Sequence, residues 1–351
     1  MRILFSWYCR FAALWPASAG ILVLALVILA LGCREAETAG PRHYIFATAN
    51  TGGTYYPVGV ALATLTKVKL EPSHHIALSA VSSAGSGENI AMLRDRTAQF
   101  AILQGLYGAW AWNGTGKLRQ DGPQTYLRSI TMLWQNVEHF AVKSDFVKNG
   151  DMSDLAALKD KWFSLGQRNS GSEGSGLYIL ERLGFAPYDD FQITSIDYGS
   201  NASAIRNSSI DGMNIPGGPP VSAVTEAYTS LGKDLTILNF TDEQLNAVNG
   251  GYPLWHRFII APGTYPGQDR EIATIAQPNF LAVRQDVDEE AVYLIVKTIY
   301  ANLPFLHLIH SASEAMSLDK AIAGLPVPLH PGAARFYREQ GIDIPDHLIA
   351  R

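Results

Sequence analysis

The chain has 351 residues, 47% of them hydrophobic and 17% charged, which is enough apolar material for two lobes with a substantial core and unlike a disordered composition. The formal net charge is −5, and no basic cluster with interleaved aromatics occurs, which argues against a nucleic-acid partner. Cys9 and Cys33 are the only cysteines, so beyond residue 33 there is neither a disulfide nor a thiolate metal site and the core alone must hold the fold.

The first segment, residues 1–32, is basic and then apolar: Arg2 and Arg10 precede the run from Phe11 to Gly32, the pattern of an export signal. Removing it leaves 25 basic against 32 acidic residues. Leu29-Ala30-Leu31-Gly32-Cys33 resembles a bacterial lipobox, with Cys33 as the residue to be lipidated, although Ala30 stands where leucine is preferred. The same apolar run is long enough to cross a bilayer as an uncleaved helix anchor, for which about 20 residues suffice. Both readings place the folded part in a periplasmic or other extracytoplasmic space, anchored to the membrane by a lipid or a helix. Residues 33–42 read as a polar linker.

From there strand-like and helix-like segments alternate, the pattern of an α/β fold with largely parallel sheets. Tyr44–Ala47 reads as a strand and is followed by the turn Thr51-Gly52-Gly53-Thr54. Val58, Leu62, Leu65 and Val68 then fall on one helical face. Ile76–Val81 reads as a second strand, ending in Ser82-Ser83-Ala84-Gly85-Ser86-Gly87, with helix signals from Glu88. Phe100–Leu103 is another apolar run. The grammar returns at Trp162–Gly166, followed by a Gly/Ser-rich turn over 169–176 and a helix from Leu177 to Leu183. A fourth polar turn, Pro216–Pro220, follows Met213-Asn214-Ile215. Ligands in open α/β sheets bind at the carboxyl ends of strands, where such turns gather. Four of them, two per half, imply two lobes facing each other across a cleft.

Enzymatic constellations are missing. No serine has glycines at both flanking offsets of a hydrolase elbow, and no Walker A run or His-Glu-x-x-His motif occurs. Gly85-Ser86-Gly87 lacks the third glycine of a dinucleotide loop. His307 and His310 are three apart, a spacing that two packed or exposed histidines share with a metal pair. No cofactor and no metal is expected.

An ordered series of blocks resembles the TAXI-type solute receptors, the extracytoplasmic binding subunits of one class of TRAP transporter, from about Tyr44 to Gly341. It comprises Thr51–Pro57, Gly85–Asn89, Ala101–Gln104, Ala111–Gly116, Ser164–Gly166 with Ser170–Ser172, Pro262–Gln268 and Pro328–Glu339. The resemblance implies a two-lobed, periplasmic-binding-protein-like fold of type II character that closes on a small solute. Known ligands of that family are small organic anions or amino acids such as glutamate and 2-oxoglutarate, and the partner is a TRAP membrane permease. The element order then places lobe 1 at 43–141 and 285–351 and lobe 2 at 142–284. A sensor or adaptor that reports a solute to a signalling partner through the same cleft is the alternative. After Gln104 the family shows a serine and an acidic residue, where Gly105 and Leu106 stand here.

Strand–turn–helix junctions offer backbone amides and a positive dipole end to an anion. The candidate donors are the amides of Gly53, Thr54 and Ser172 and the hydroxyls of Thr54, Ser83, Ser86 and Ser172. Gln104 can donate or accept, and Ser170 and Gly217 complete the second-lobe turns. Arg168, beside the second-lobe turn, is the candidate bidentate grip on a carboxylate. Tyr55 and Trp134 are candidate walls. Each hydroxyl could equally cap a helix with no ligand present. His330 reads as a structural hydrogen-bonder ahead of a helix starting at Gly332 or Ala333.

Overall fold

The computed structural model describes residues 40 and 42–350; the leader, the lipobox and Cys33 lie outside them. In chain order the first elements are β1 (Arg42–Ala47), α1 (Tyr55–His74), β2 (Ile76–Val81), α2 (Ser86–Arg94), β3 (Phe100–Gln104), α3 (Gly105–Asn113) and β4 (Leu127–Val137). Next come β5 (Phe140–Lys143), β6 (Trp162–Ser164), α4 (Gly171–Arg182), α5 (Pro187–Asp190), β7 (Gln192–Thr194), α6 (Tyr198–Arg206), β8 (Gly212–Asn214), α7 (Ser222–Leu231) and β9 (Leu235–Ile237). The chain ends with α8 (Asp242–Asn249), β10 (His256–Ile260), β11 (Ile272–Arg284), α9 (Glu289–Ala301), α10 (Leu303–His307) and α11 (Pro331–Glu339). Among the described residues no helix is long and apolar enough to cross a membrane.

Two sheets result. The first runs β10-β11-β3-β1-β2, with β4 on the other edge of β11; β1 pairs parallel with β2 and β3, and β11 runs antiparallel to β3, β4 and β10. All five residues of β3, Phe-Ala-Ile-Leu-Gln, are buried, as expected of a strand covered on both faces. On α1 the buried Val58, Leu62 and Leu65 continue into Ala61, Thr66 and Leu70, the three-and-four spacing of a core-facing stripe. The helix ends where His75 turns left-handed at φ 55° and its amide bonds back to the Glu71 carbonyl.

The second sheet runs β7-β6-β8-β5-β9, with β6 parallel to β7 and β8, and β5 antiparallel to β8 and β9. The chain passes from the first sheet to the second at Glu138-His139, between β4 and β5. β10 and β11, which the expected boundary at 284 assigns to the second lobe, hydrogen-bond into the first sheet. Their packing is divided: Ile260, Ile272 and Ala276 join the hydrophobic cluster of α6 and α7, whereas Phe280 to Val283 join the larger core. A 13-residue strand is long enough, at about 3.3 Å per residue, to serve both.

One local expectation needs correction. Residues 171–176 are not turn but the first half of α4, which begins at Gly171 with Ser170 as its cap. The small residues permit close packing: a Cβ at Gly174 would stand 2.4 Å from the Tyr107 ring, so only glycine lets α4 approach α3. His330 acts as a structural hydrogen-bonder. Its Nδ1 accepts the Gly332 amide at 3.2 Å, capping α11, and its Nε2 donates to the Val287 carbonyl at 3.1 Å. Burial pushes its pKa down to about 4, consistent with the neutral ring those bonds require.

Candidate functional site

The carboxyl ends of β1, β2, β3, β6 and β7 and the turn after β8 converge on one cavity between the two sheets, the location favoured for ligands in such sheets. Its lining comes from Asn50, Gly53, Thr54 and Tyr55 after β1, Gly85 and Ser86 after β2, and Gln104 at the end of β3. Ser170, Gly171 and Ser172 follow from the β6 turn, Tyr198 from the β7 turn, Pro216 from the β8 turn, and Asn136 from β4. The space between these residues, its mouth to solvent included, amounts to about 370 Å³. The cleft is nearly shut.

Contacts between the lobes keep it so. The Glu88 amide donates to the Asn169 carbonyl at 3.0 Å. Thr54 Oγ1 accepts the Gly218 amide at 3.1 Å and donates to the Gly218 carbonyl at 3.2 Å. Lys117 pairs with Glu173 at 3.0 Å, and the Glu173 carboxylate also accepts the Asn169 amide at 3.0 Å.

The residues expected at the site divide accordingly. Gly53, Thr54, Tyr55, Ser86, Gln104, Ser170 and Ser172 line the cavity. Ser83 does not: its hydroxyl joins the Thr48 carbonyl at 3.1 Å, Asn89 Oδ1 at 2.6 Å and the Gly85 amide at 3.0 Å, stapling the turn, and it lines an adjoining surface recess. Gly217 stands behind the wall, bridged to Val137, while Pro216 lines the cavity. Arg168 is exposed and outside the lining. Trp134 is buried edge-on to Tyr55, centroids 5.7 Å apart, as core beneath the wall.

Sequence reasoning missed Asn50, Asn136 and Tyr198. Tyr198 opens α6 after a strand and a polar turn, the same grammar as the other junctions but without paired glycines. Its hydroxyl donates to the Pro216 carbonyl at 2.8 Å. Asn136 is a polar residue in a buried strand, a signal in itself. Tyr55 donates to Asn279 Oδ1 at 2.5 Å, and Asn279 Nδ2 donates to Asn136 Oδ1 at 3.2 Å, which leaves Asn136 Nδ2 as a spare donor.

Electrostatically the lining is unusual: none of its side chains ionises near neutral pH. Burial holds the Tyr55 and Tyr198 phenols far above their ordinary range. Positive potential comes instead from helix ends. α1 and α2 start at the cavity with no side-chain cap, and α4 starts there with Ser170 taking only the Glu173 amide, at 3.0 Å. First-turn amides have no intrahelical acceptor, so three helices from two lobes present donors and dipole ends to one point.

Behind the cavity, Glu138 is fully buried. Asn214 Nδ2 donates to its Oε2 at 2.8 Å, and Ser175, Trp255 and Gln277 stand around it without completing hydrogen bonds to Oε1. Burial pushes this carboxyl up to about 7. His139 is also fully buried and pushed down to about 4. Its Nδ1 donates to the Val137 carbonyl at 2.9 Å and its Nε2 accepts the Tyr265 hydroxyl at 2.8 Å.

Two α/β lobes with strand ends and helix N-termini turned onto a shared cleft define the solute-binding-protein fold of the periplasm. Solved structures share it: PhnD1 from Prochlorococcus marinus in complex with methylphosphonate (TM-score 0.52, 12% identity, covering 86% of this chain and 99% of that one). MatC from Rhodopseudomonas palustris with bound malate is similar (TM-score 0.50, 13% identity, covering 86% and 97%). More distant is the periplasmic aliphatic sulphonate binding protein SsuA from Escherichia coli (TM-score 0.44, 12% identity, covering 88% and 91%). The chain belongs to the NMT1-like family, whose model matches residues 46–341.

Proposed function

We propose that this protein is an extracytoplasmic solute receptor of TAXI type that captures a small organic anion or amino acid by lobe closure and delivers it to a TRAP membrane permease. The observation that carries the anion reading is the convergence of three helix N-termini, from two lobes, on a nearly shut cavity whose side chains are uncharged. Inside such a cavity, amide donors and aligned dipoles hold a carboxylate without a desolvated counter-charge. The TRAP partnership rests on the ordered blocks from Thr51 to Glu339, and the extracytoplasmic location and membrane attachment on the apolar leader and Cys33. No catalytic role is assigned to any residue: the buried acid and histidine behind the cavity lie outside its lining. By sheet membership we place the first lobe at 42–138 and 256–350 and the second at 139–255.

Thermal-shift screening against mono- and dicarboxylates, oxo-acids and amino acids identifies the solute. Calorimetry on Thr54→Ala and Ser172→Ala then reads binding weaker by about tenfold in each, the first through the lost bonds to Gly218 that join the lobes and the second through a lost hydrogen bond to the solute, with both variants folded by their melting curves. Unchanged affinity in both variants overturns the site.

A further inference from the structure

Three lining residues leave buried polar atoms without partners: Asn136 Nδ2, Gln104 Oε1 and Asn50 Oδ1. Gln104 and Asn136 are each only 2% exposed. Unmet buried groups are costly, so with the amides oriented as they stand a solute that fits brings one acceptor for Asn136 and donors for Gln104 and Asn50. The helix ends supply further donors for the same acceptor group.

Charges around the cavity restrict the solute further. The recess that adjoins the cavity, sharing Asn50 and Ala84 with it, is lined by Glu88 and Asp197, one from each lobe. The two nearby cations do not compensate: Lys117 is bonded to Glu173, and Arg168 stands outside the lining. A second carboxylate on the solute would therefore face the Glu88 and Asp197 carboxylates of the recess and the orphaned acceptors of Gln104 and Asn50.

We infer that the site selects a compact monocarboxylate bearing a hydroxyl or ammonium donor next to its carboxylate, and discriminates against dicarboxylates and against the acid that lacks the donor. This rests on the reading of the cavity as an anion receptor and narrows it. Lactate and alanine represent the favoured class; malate, aspartate and 2-oxoglutarate carry the second carboxylate; propionate lacks the donor.

Calorimetry with these six acids on the intact exported domain tests it. The expected result is that lactate or alanine binds at least about tenfold more tightly than propionate and than its own dicarboxylate counterpart, malate or aspartate. Malate, aspartate or 2-oxoglutarate binding as tightly as lactate and alanine overturns the selectivity while leaving an anion receptor standing. No binding of any carboxylate, in this set or in the wider screen, overturns the receptor reading together with it. Gln104→Met, checked for folding by its melting curve, should lose the preference for lactate over propionate; a retained preference in a folded variant removes Gln104 from the recognition of the donor.

Discussion

The Glu88 amide at the start of α2 donates to the Asn169 carbonyl at 3.0 Å, joining the first helix turn of one lobe to the Gly/Ser-rich turn of the other. Asn169 holds a left-handed conformation at φ 62°, which points its carbonyl across the cleft. The approach depends on the preceding residue, because a Cβ at Gly87 would stand 2.4 Å from that oxygen. Gly87 itself has no positive φ, so alanine suits the helix and raises its propensity by about 1 kcal/mol. Gly87→Ala should accordingly leave the unliganded protein as stable as the parent or more so, while weakening solute binding by about tenfold or more. Small-angle scattering checks the cause: the variant should keep its open dimensions when solute is added. Normal compaction with normal affinity would show that the lobes do not meet at this contact.

Arg168 marks the limit of what a linear reading can place. It lies next to the binding turn in sequence, but the left-handed turn at Asn169 sends the chain inward only from Ser170 onward, and the Arg168 side chain stays in solvent near Tyr188. Replacing it with alanine should change solute affinity less than about twofold, as for most exposed polar positions. A loss of tenfold in calorimetry would mean that the guanidinium folds over the bound solute.

Much of the fold was legible because the junctions are local. A buried apolar run, a small polar turn and a three-and-four stripe specify β1 to α1 and β2 to α2 within about thirty residues; of the turn residues they single out, Gly53, Thr54 and Ser86 line the cavity and Ser83 does not. What escaped is long-range. The sheet that β10 and β11 join is decided by pairing with β3 and β4, more than a hundred residues away, and nothing in the pattern of 256–284 encodes that choice. Asn136 is set by a relay through Asn279 to Tyr55, 224 residues from Asn279. The start of α4 at Gly171 was hidden because glycine and serine are weak helix formers. The glycines there are explained by close approaches that the fold alone reveals: Gln104 against Gly171, Tyr107 against Gly174 and Leu165 against Gly176.

Ser170 serves both the helix and the site. Its hydroxyl accepts the Glu173 amide at 3.0 Å and lies 2.9 Å from the Ser172 hydroxyl. Ser170→Ala removes an N-cap, and should cost about 1 kcal/mol of stability, read as a lower urea midpoint with an unchanged slope. An unchanged midpoint would show that another group caps α4.

The paired titration of Glu138 and His139 makes a pH prediction whose sign differs for each. Burial raises the Glu138 carboxyl from 4.5 to about 7, so the folded state keeps this proton after the unfolded chain has lost it. The stability it contributes is complete below about 4.5 and is lost as pH rises through about 7. His139 is lowered from 6.5 to about 4. Its contribution is complete above about 6.5 and is lost as pH falls toward 4. The two slopes oppose each other between about 4.5 and 6.5, and above that window Glu138 alone is still titrating. Glu138→Gln removes one slope and leaves the other. The stability of the variant relative to the parent should therefore rise from pH 5 to pH 8, by up to about 3 kcal/mol on the conversion of pKa to free energy. Urea titrations at pH 5, 6, 7 and 8 measure the difference directly. A constant offset across that range would show that Glu138 ionises in the folded protein much as it does in the unfolded chain.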